Sequence, residues 1–251
     1  MGMASKIPLS HPRYQSLVTR ERIAQGLRQG LVHETGLIAH GRGEAFDYLL
    51  GETTTFLADH SLEVAAACLL CAQHPVISVN GNVVALTAKE CVQLADAIPA
   101  VLEVNLFHRT TERITKLVQE LEQQGAQQVL GTKGDAHIPG LDHDRGRCDS
   151  TGIYSADVIL VPLEDGDRCQ ALRAMGKTVI AIDLNPLSRT AQTASITIVD
   201  NVIRAIPRLR YWVDHHTQTA KPTLETMMKH WDNHKMIQET LTFIAKRINS
   251  L

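Results

Sequence analysis

The chain has 251 residues, a formal charge of −2 and 4% aromatic residues. Such a length buries a full core and suits one α/β domain with extensions, or two small domains. Near-neutral charge argues against the concentrated basic surface that nucleic acid requires, and so few aromatics argue against a base-stacking platform.

The start, MGMASKIPLSHPRY, lacks the apolar core of a signal peptide, and no apolar run reaches membrane-spanning length, so a cytoplasmic protein with no membrane partner is expected. Residues 1–74 read as a helical N-terminal segment without strands, beginning at Ser10-His11-Pro12. Within it, GLIAHGRGEAFDYLLG (36–51) places Arg42 between two glycines, after an apolar run ending in His40. This pattern predicts a glycine hinge with a helix opening at Gly43, where helix start and guanidinium together would attract a phosphate. Cys68 and Cys71 have redox-motif spacing but sit inside the apolar helical pattern SLEVAAACLLCAQ; all five cysteines read as buried, reduced thiols.

From 75 to 213 strand and helix patterns alternate. The strands are PVISV (75–79), AVLEV (100–104), QVL (128–130), ADVILVP (156–162), KTVIAID (177–183) and SITIVD (195–200), apolar on both faces as in a buried parallel sheet. A capping box at Thr87-Ala88-Lys89-Glu90 predicts a helix to about 97; Ile114, Leu117, Val118 and Leu121 predict another, stopped by Gly125; Asp167 with Gln170 predicts a third, closed by Gly176. Strand, helix, strand in repetition predicts an α/β fold: a Rossmann-like, mostly parallel sheet with helices on both faces. Residues 214–251 read as a helical C-terminal extension with Ile237, Leu241, Ile244 and Ile248 on one stripe, and His215-His216 as a solvated helix end.

In such a sheet, ligands sit beyond the carboxyl ends of the strands. Here the strands empty into Asn80-Gly81-Asn82, Asn105 to Arg109, Gly131 to Asp135, Glu164 to Arg168, Asp183 to Thr190 and Asp200-Asn201. Any one of these reads as an ordinary polar turn; six in succession, carrying Arg, Lys and amides, read as a site. The dinucleotide glycine fingerprint, the P-loop and the nucleophile elbow are missing, and His137 and His143 lack companions for a metal site. Cations for phosphate are better supplied: Arg13 and Arg20 on one helix face, His40, Arg42, and Arg189 in a loop opened by Asp183, an acid placed to accept a ribose hydroxyl. Each arginine could instead pair with a carboxylate, Arg20 with Glu21 or Glu34.

SHPRYQSL (10–17), GLIAHGRGEAFDYLLGE (36–52), PVISVNGN (75–82), EVNLFHRT (103–110), VPLEDGDR (161–168), IDLNPLSRTA (182–191) and IVDN (198–201) closely resemble the archaeal-type phosphopantothenate synthetases, the 4-phosphopantoate–β-alanine ligases. The resemblance runs from about residue 7 to 210, in order. It implies a homodimer that condenses 4-phosphopantoate with β-alanine at the expense of ATP, releasing AMP and diphosphate, in coenzyme A synthesis. It implies ATP contacts at Arg20, Arg42, Asp183, Leu184, Asn185, Arg189, Thr190, Asp200 and Asn201. AMP release implies an acyl-adenylate, with Mg2+ sharing the phosphate charge and His40 and Arg42 as catalytic candidates. Rim position and charge make His11, Arg13, His40, Asn80, Asn105 and Lys133 candidates for phosphopantoate and β-alanine. Glu164, Asp165 and Asp167 fit Mg2+, an ammonium or a plain helix cap; no general base for β-alanine stands out. A ligase for another acid and amine, or a nucleotide sensor without turnover, remains open, and an NAD-linked dehydrogenase is disfavoured by the missing fingerprint.

Overall fold

The computed structural model describes residues 7–162 and 165–250. Three helices come first: α1 (Tyr14–Gln29), α2 (Glu34–Leu50) and α3 (Phe56–Cys71). Then follow β1 (Pro75–Val79), α4 (Gly81–Ala97), β2 (Val101–Val104), α5 (Thr111–Gln123) and β3 (Val129–Leu130). A hairpin of β4 (Ala136–His137) and β5 (Arg147–Cys148) leads to β6 (Val158–Pro162), α6 (Gly166–Ala174), β7 (Thr178–Ile182), α7 (Arg189–Thr193) and β8 (Ile196–Ile198). The chain closes with α8 (Val202–His216), α9 (Lys221–Lys229) and α10 (Asn233–Asn249).

Six strands form one parallel sheet in the order β3-β2-β1-β6-β7-β8. Chain direction across the sheet reverses between β1 and β6, the topological switch point at which doubly wound sheets open a crevice. The Val- and Ile-rich strands are buried on both sides. Ile77, Val79, Leu102, Leu160 and Ile182 face α3, α4, α5 and α8 through Leu69, Leu94, Leu117 and Ile206. Val76, Ile159, Val161 and Val179 face α6 and the hairpin region through Leu172, Ile138 and Ile153.

One ionisable group interrupts this apolar interior. Glu103 of β2 is fully buried, and its carboxylate accepts backbone N–H groups of Asp149 at 2.9 Å and Ile153 at 2.6 Å. Burial pushes this carboxyl up to about 7 despite those two bonds. The side chain therefore anchors the loop after β5 to the underside of the sheet.

All six predicted strands are present, and α5 and α6 are followed by left-handed glycines at Gly125 and Gly176. Several local expectations are corrected. Residues 36–51 hold no hinge: α2 runs unbroken through Gly41, Arg42 and Gly43, capped by His33, whose side chain accepts from the Thr35 amide, and ended by Gly51. Glycine weakens a helix by only about 1 kcal/mol, which surrounding turns and packing override. α4 begins at Gly81, seven residues before the expected Ala88, because Asn80 caps it by accepting from the Val83 amide at 3.1 Å. Thr87 instead marks a kink, its hydroxyl donating back to the Val83 carbonyl. Asp165, not Asp167, caps α6; Asp167 pairs with Arg189 at 2.6 Å. α1 starts at Tyr14, after the predicted Ser10-His11-Pro12.

Smaller differences concern the ends. Cys71 is half-buried, whereas Cys68, Cys91 and Cys148 are buried and their thiols are pushed up to about 12. His215 is exposed, but His216 is buried under Trp212 and lies 3.4 Å from Glu63. α8 continues through 216, past the expected boundary at 213. In α10, Ile237 and Ile244 are buried while Ile248 is 50% exposed. Ile244 packs with Leu50, Leu184 and Val199, so the C-terminal helix braces α2 against the ends of β7 and β8. Among the described residues no helix is long and apolar enough to cross a membrane.

Candidate active site

A cavity of about 580 Å3 opens at the carboxyl ends of the strands, around the switch point. Its floor is made by residues that leave the strands: Asn80 and Gly81 after β1, Leu106 to His108 after β2, Asp165 and Gly166 after β6, Asp183 to Asn185 after β7, and Asn201 after β8. Its roof is α2, which contributes His40, Arg42, Gly43 and Phe46. The roof sits close. A Cβ on Gly81 would lie 2.2 Å from the Leu31 carbonyl, and one on Gly36 would lie 2.4 Å from Asn82, whose amide donates to the Gly36 carbonyl at 2.8 Å. Only glycine permits the approach to the Leu31 backbone carbonyl.

The N-termini of α4, α6 and α8 border this space, capped by Asn80, Asp165 and Asn201, so their positive ends add to the charge of the arginines. Arg42 is exposed in the middle of the roof helix and makes no ion pair or hydrogen bond among the described residues. Its nearest electrostatic effect is on Asp183. Burial raises the Asp183 carboxyl above its ordinary value, opposed by the Ser188 hydroxyl, the Asn185 amide and the charge of Arg42. Both Asp183 oxygens accept one bond, from Ser188 and from the Asn185 amide, and each keeps a second lone pair.

Beside the main cavity is a recess of about 180 Å3, lined by Arg13, Ser16, Glu44, Asp47, Glu52, Asn201 and Arg204, and joined to it at His40, Glu44 and Asn201. Glu44 is its hub: it accepts from Ser16, from Arg13 at 3.0 Å and from Arg20 at 2.9 Å. Burial alone would raise the Glu44 carboxyl, but Ser16 and the two arginines together hold it below its ordinary value. His40 is lowered chiefly by burial and further by Arg20, against the opposing pull of Glu44, and is therefore a neutral imidazole at neutral pH. It makes no hydrogen bond among the described residues.

What holds the roof down is an ion cluster. Arg204 of α8 bonds Asp47 of α2 and Asp200 at the end of β8, each at 2.6 Å, and Asn201 donates to Asp47 at 2.9 Å. Asp200 also accepts from Thr54 at 2.6 Å.

The expected site residues divide accordingly. His40, Arg42, Asn80, Asp183, Leu184, Asn185, Arg189, Thr190 and Asn201 line the main cavity, and Arg13 lines the recess. Arg20 lies outside both linings and is paired with Glu44, rather than with the Glu21 or Glu34 suggested by the sequence. Asp200 is buried within the ion cluster, away from the cavity. His11 is exposed, accepting from the Arg13 amide. Asn105 is fully buried under the hairpin, donating to the Arg145 and Arg147 carbonyls, and Lys133 is exposed beyond β3. Glu164 lies outside the described residues. Sequence reasoning missed Glu44, Asp47 and Arg204, whose pairings join distant positions, and also His33, His108, Arg113 and Arg145, which line the β2 end of the cavity. Only the proximity of His108 to a strand end gave any signal.

These features define a doubly wound α/β protein with a roofed cavity at its switch point, bordered by arginines and helix N-termini. Residues 57–247 match the phosphopantothenate/pantothenate synthetase family, and the chain belongs to that family. It is 50% identical over 246 residues to the 4-phosphopantoate–beta-alanine ligase of Thermococcus kodakarensis, covering 98% of this chain and 94% of the relative. The protein of the same name from Methanosarcina mazei is 49% identical over 245 residues (98% and 96% covered), and that from Methanospirillum hungatei 51% over 242 residues (96% and 98%).

Proposed function

We propose that this chain is an ATP-dependent ligase that joins 4-phosphopantoate to β-alanine, releasing AMP and diphosphate and supplying phosphopantothenate for coenzyme A. Family membership and near-complete alignment with ligases of that name support the reaction. The observation that carries it is the cavity lined both by Arg42 of the roof, unpaired among the described residues, and by the turns after β7 and β8. A cavity of about 580 Å3 also accommodates more than one small molecule.

ATP lies along the β7–β8 side. Asp183 accepts a ribose hydroxyl, Asn185, Thr190 and Asn201 orient the nucleotide, and Arg42 with Arg189 holds phosphate oxygens. Mg2+ would neutralise further phosphate charge, and Asp165 is the lining carboxylate suited to it, since Asp183 holds the ribose and Glu44 is already committed to Arg13 and Arg20. A carboxylate oxygen of phosphopantoate attacks the α-phosphorus and diphosphate departs, leaving the acyl-adenylate. β-Alanine comes from the recess, whose mixed acidic and basic lining suits a short zwitterion. His40, standing where recess and cavity join, takes the ammonium proton. The freed amine attacks the acyl carbon, the bond to the AMP oxygen breaks with its electron pair, and the second nitrogen proton leaves to water. The α2 roof keeps water from the anhydride. We place this chemistry in the cytoplasm, the setting expected from the sequence, and in a homodimer, as the family resemblance implies.

The test is AMP release from ATP by purified protein in the presence of both, either or neither acceptor. Release that needs both supports the ligase. Nucleotide binding without AMP leaves the sensor, and release with another acid or amine alone moves the substrate assignment.

A further inference from the structure

The C-terminal extension reaches the nucleotide side of the sheet through one side chain. Asn233 opens α10, beside the edge strand β8. Its Oδ1 accepts the Thr197 amide at 2.7 Å, as a neighbouring strand would. Its Nδ2 donates to the Ala191 and Ala194 carbonyls, each at 3.1 Å, and lies 3.2 Å from the Thr197 hydroxyl. That hydroxyl donates in turn to the Ala191 carbonyl at 2.8 Å. These carbonyls belong to the C-terminal end of α7, a helix of five residues, too short to be stable without outside partners. At the other end of α7, the start of α6 packs so closely that a Cβ on Gly166 would lie 2.7 Å from Arg189 Cβ. The short helix is therefore gripped between α6 and a single amide of the extension. Trp231 fastens the same segment, its indole N–H donating to the Ser195 carbonyl at 2.9 Å.

We propose that Asn233 is a positioning residue for the nucleotide, holding the end of α7 so that Arg189 and Thr190 stand in place along the cavity. The proposal rests on the ligase reading above and deepens it, because it gives the C-terminal extension a part in ATP recognition. Asn233 lines neither the cavity nor the recess, so it acts through α7. That helix is also tied to the ribose acceptor, since Ser188, its cap, donates to Asp183. A displaced α7 thus disturbs Arg189, Thr190 and Asp183 together. The place calls for an amide, which offers an acceptor to Thr197 and donors to the two carbonyls. A carboxylate of the same shape keeps the first bond but sets a negative oxygen against three others. Alanine leaves the Thr197 amide and both carbonyls without this partner. The recess assigned to β-alanine is built around α1, α2 and α8, and does not use α7.

Asn233→Ala and Asn233→Asp are the variants. Steady-state kinetics of AMP release are measured with ATP and β-alanine varied in turn, and ATP affinity is measured by calorimetry without the other substrates. KM for ATP rises about tenfold in Asn233→Ala, the effect of one or two lost hydrogen bonds, and further in Asn233→Asp. KM for β-alanine, the internal reference for a folded site, changes by less than about twofold. Wild-type protein that binds ATP but releases no AMP condemns the ligase reading alone; about tenfold weaker ATP binding in the variants still upholds the positioning role. In the wild-type protein, ATP shifts the 15N resonance of the Asn233 side-chain amide, a readout that needs no variant to fold. A lowered thermal midpoint with unchanged ATP affinity, KM values for ATP and β-alanine that rise in proportion, or an unmoved Asn233 resonance at saturating ATP overturns the proposal.

Discussion

Arg42 and His40 share the roof helix but differ in what surrounds them. Arg42 is exposed and spends no donor on a described neighbour, so its removal costs the fold little and its ligand much. One charge-assisted phosphate contact is worth about 2–3 kcal/mol. Arg42→Ala is therefore expected to lower kcat/KM by about a hundredfold with an unchanged thermal midpoint; near-normal kinetics would remove it from the site. In the proposed reaction His40 acts in its neutral form, and burial holds its pKa below the ordinary imidazole value. Activity should stay level as pH falls toward the normal histidine range and decline only below it, and His40→Gln should lower the rate and flatten that acid limb. A limb of unchanged position in the glutamine variant would assign it to another group.

At the scale of elements, the account turns on how α2 is held. Asp47, Asp200 and Arg204 are a buried or half-buried cluster, and Asp200 sits above its ordinary pKa because burial outweighs the help of Arg204 and Thr54. Removing the cation leaves two carboxylates unpaired, a loss of about 3–5 kcal/mol. Arg204→Ala is expected to lower stability by roughly that amount in urea unfolding, and to raise KM for ATP although Arg204 lies outside the main cavity. A stability loss with unaltered KM would mean that the cluster does not govern the roof. This cluster was not legible in the sequence, because Asp47 and Arg204 are 157 positions apart. The strands were legible, since a run such as VILVP can only be a strand buried on both faces in this context. Helix starts were read less well. Asn80-Gly81 has the composition of a turn, yet after a parallel strand the same asparagine serves as a cap, and Gly81 serves close approach to Leu31. The hairpin of β4 and β5, with only two residues in each strand, has too short a period to register. Within the site, the residues following strands could be located from sequence, whereas the carboxylates that occupy Arg13 and Arg20 could not.

For the molecule as a whole, stability depends on pH through the buried Glu103. Its pKa is raised from 4.5 to about 7 in the fold, so the folded state binds this proton more tightly than the unfolded chain does. The associated stability is fully present below about pH 4.5 and is lost as pH rises through 7, by about 3 kcal/mol in all. A glutamine side chain has no proton to lose in this range, so urea unfolding of wild type and Glu103→Gln should show a wild-type advantage that shrinks between about pH 5 and pH 8. A difference constant across that range would mean that Glu103 titrates normally. Sheet, loop anchor and braced roof together give the cavity its shape, and the proposed function requires that shape to close over a nucleotide within one chain. Hydrogen exchange with and without ATP tests this most directly. Slowed exchange in both 34–50 and 183–190 on adding ATP is the predicted result; protection confined to 183–190, with 34–50 unaffected, would contradict it.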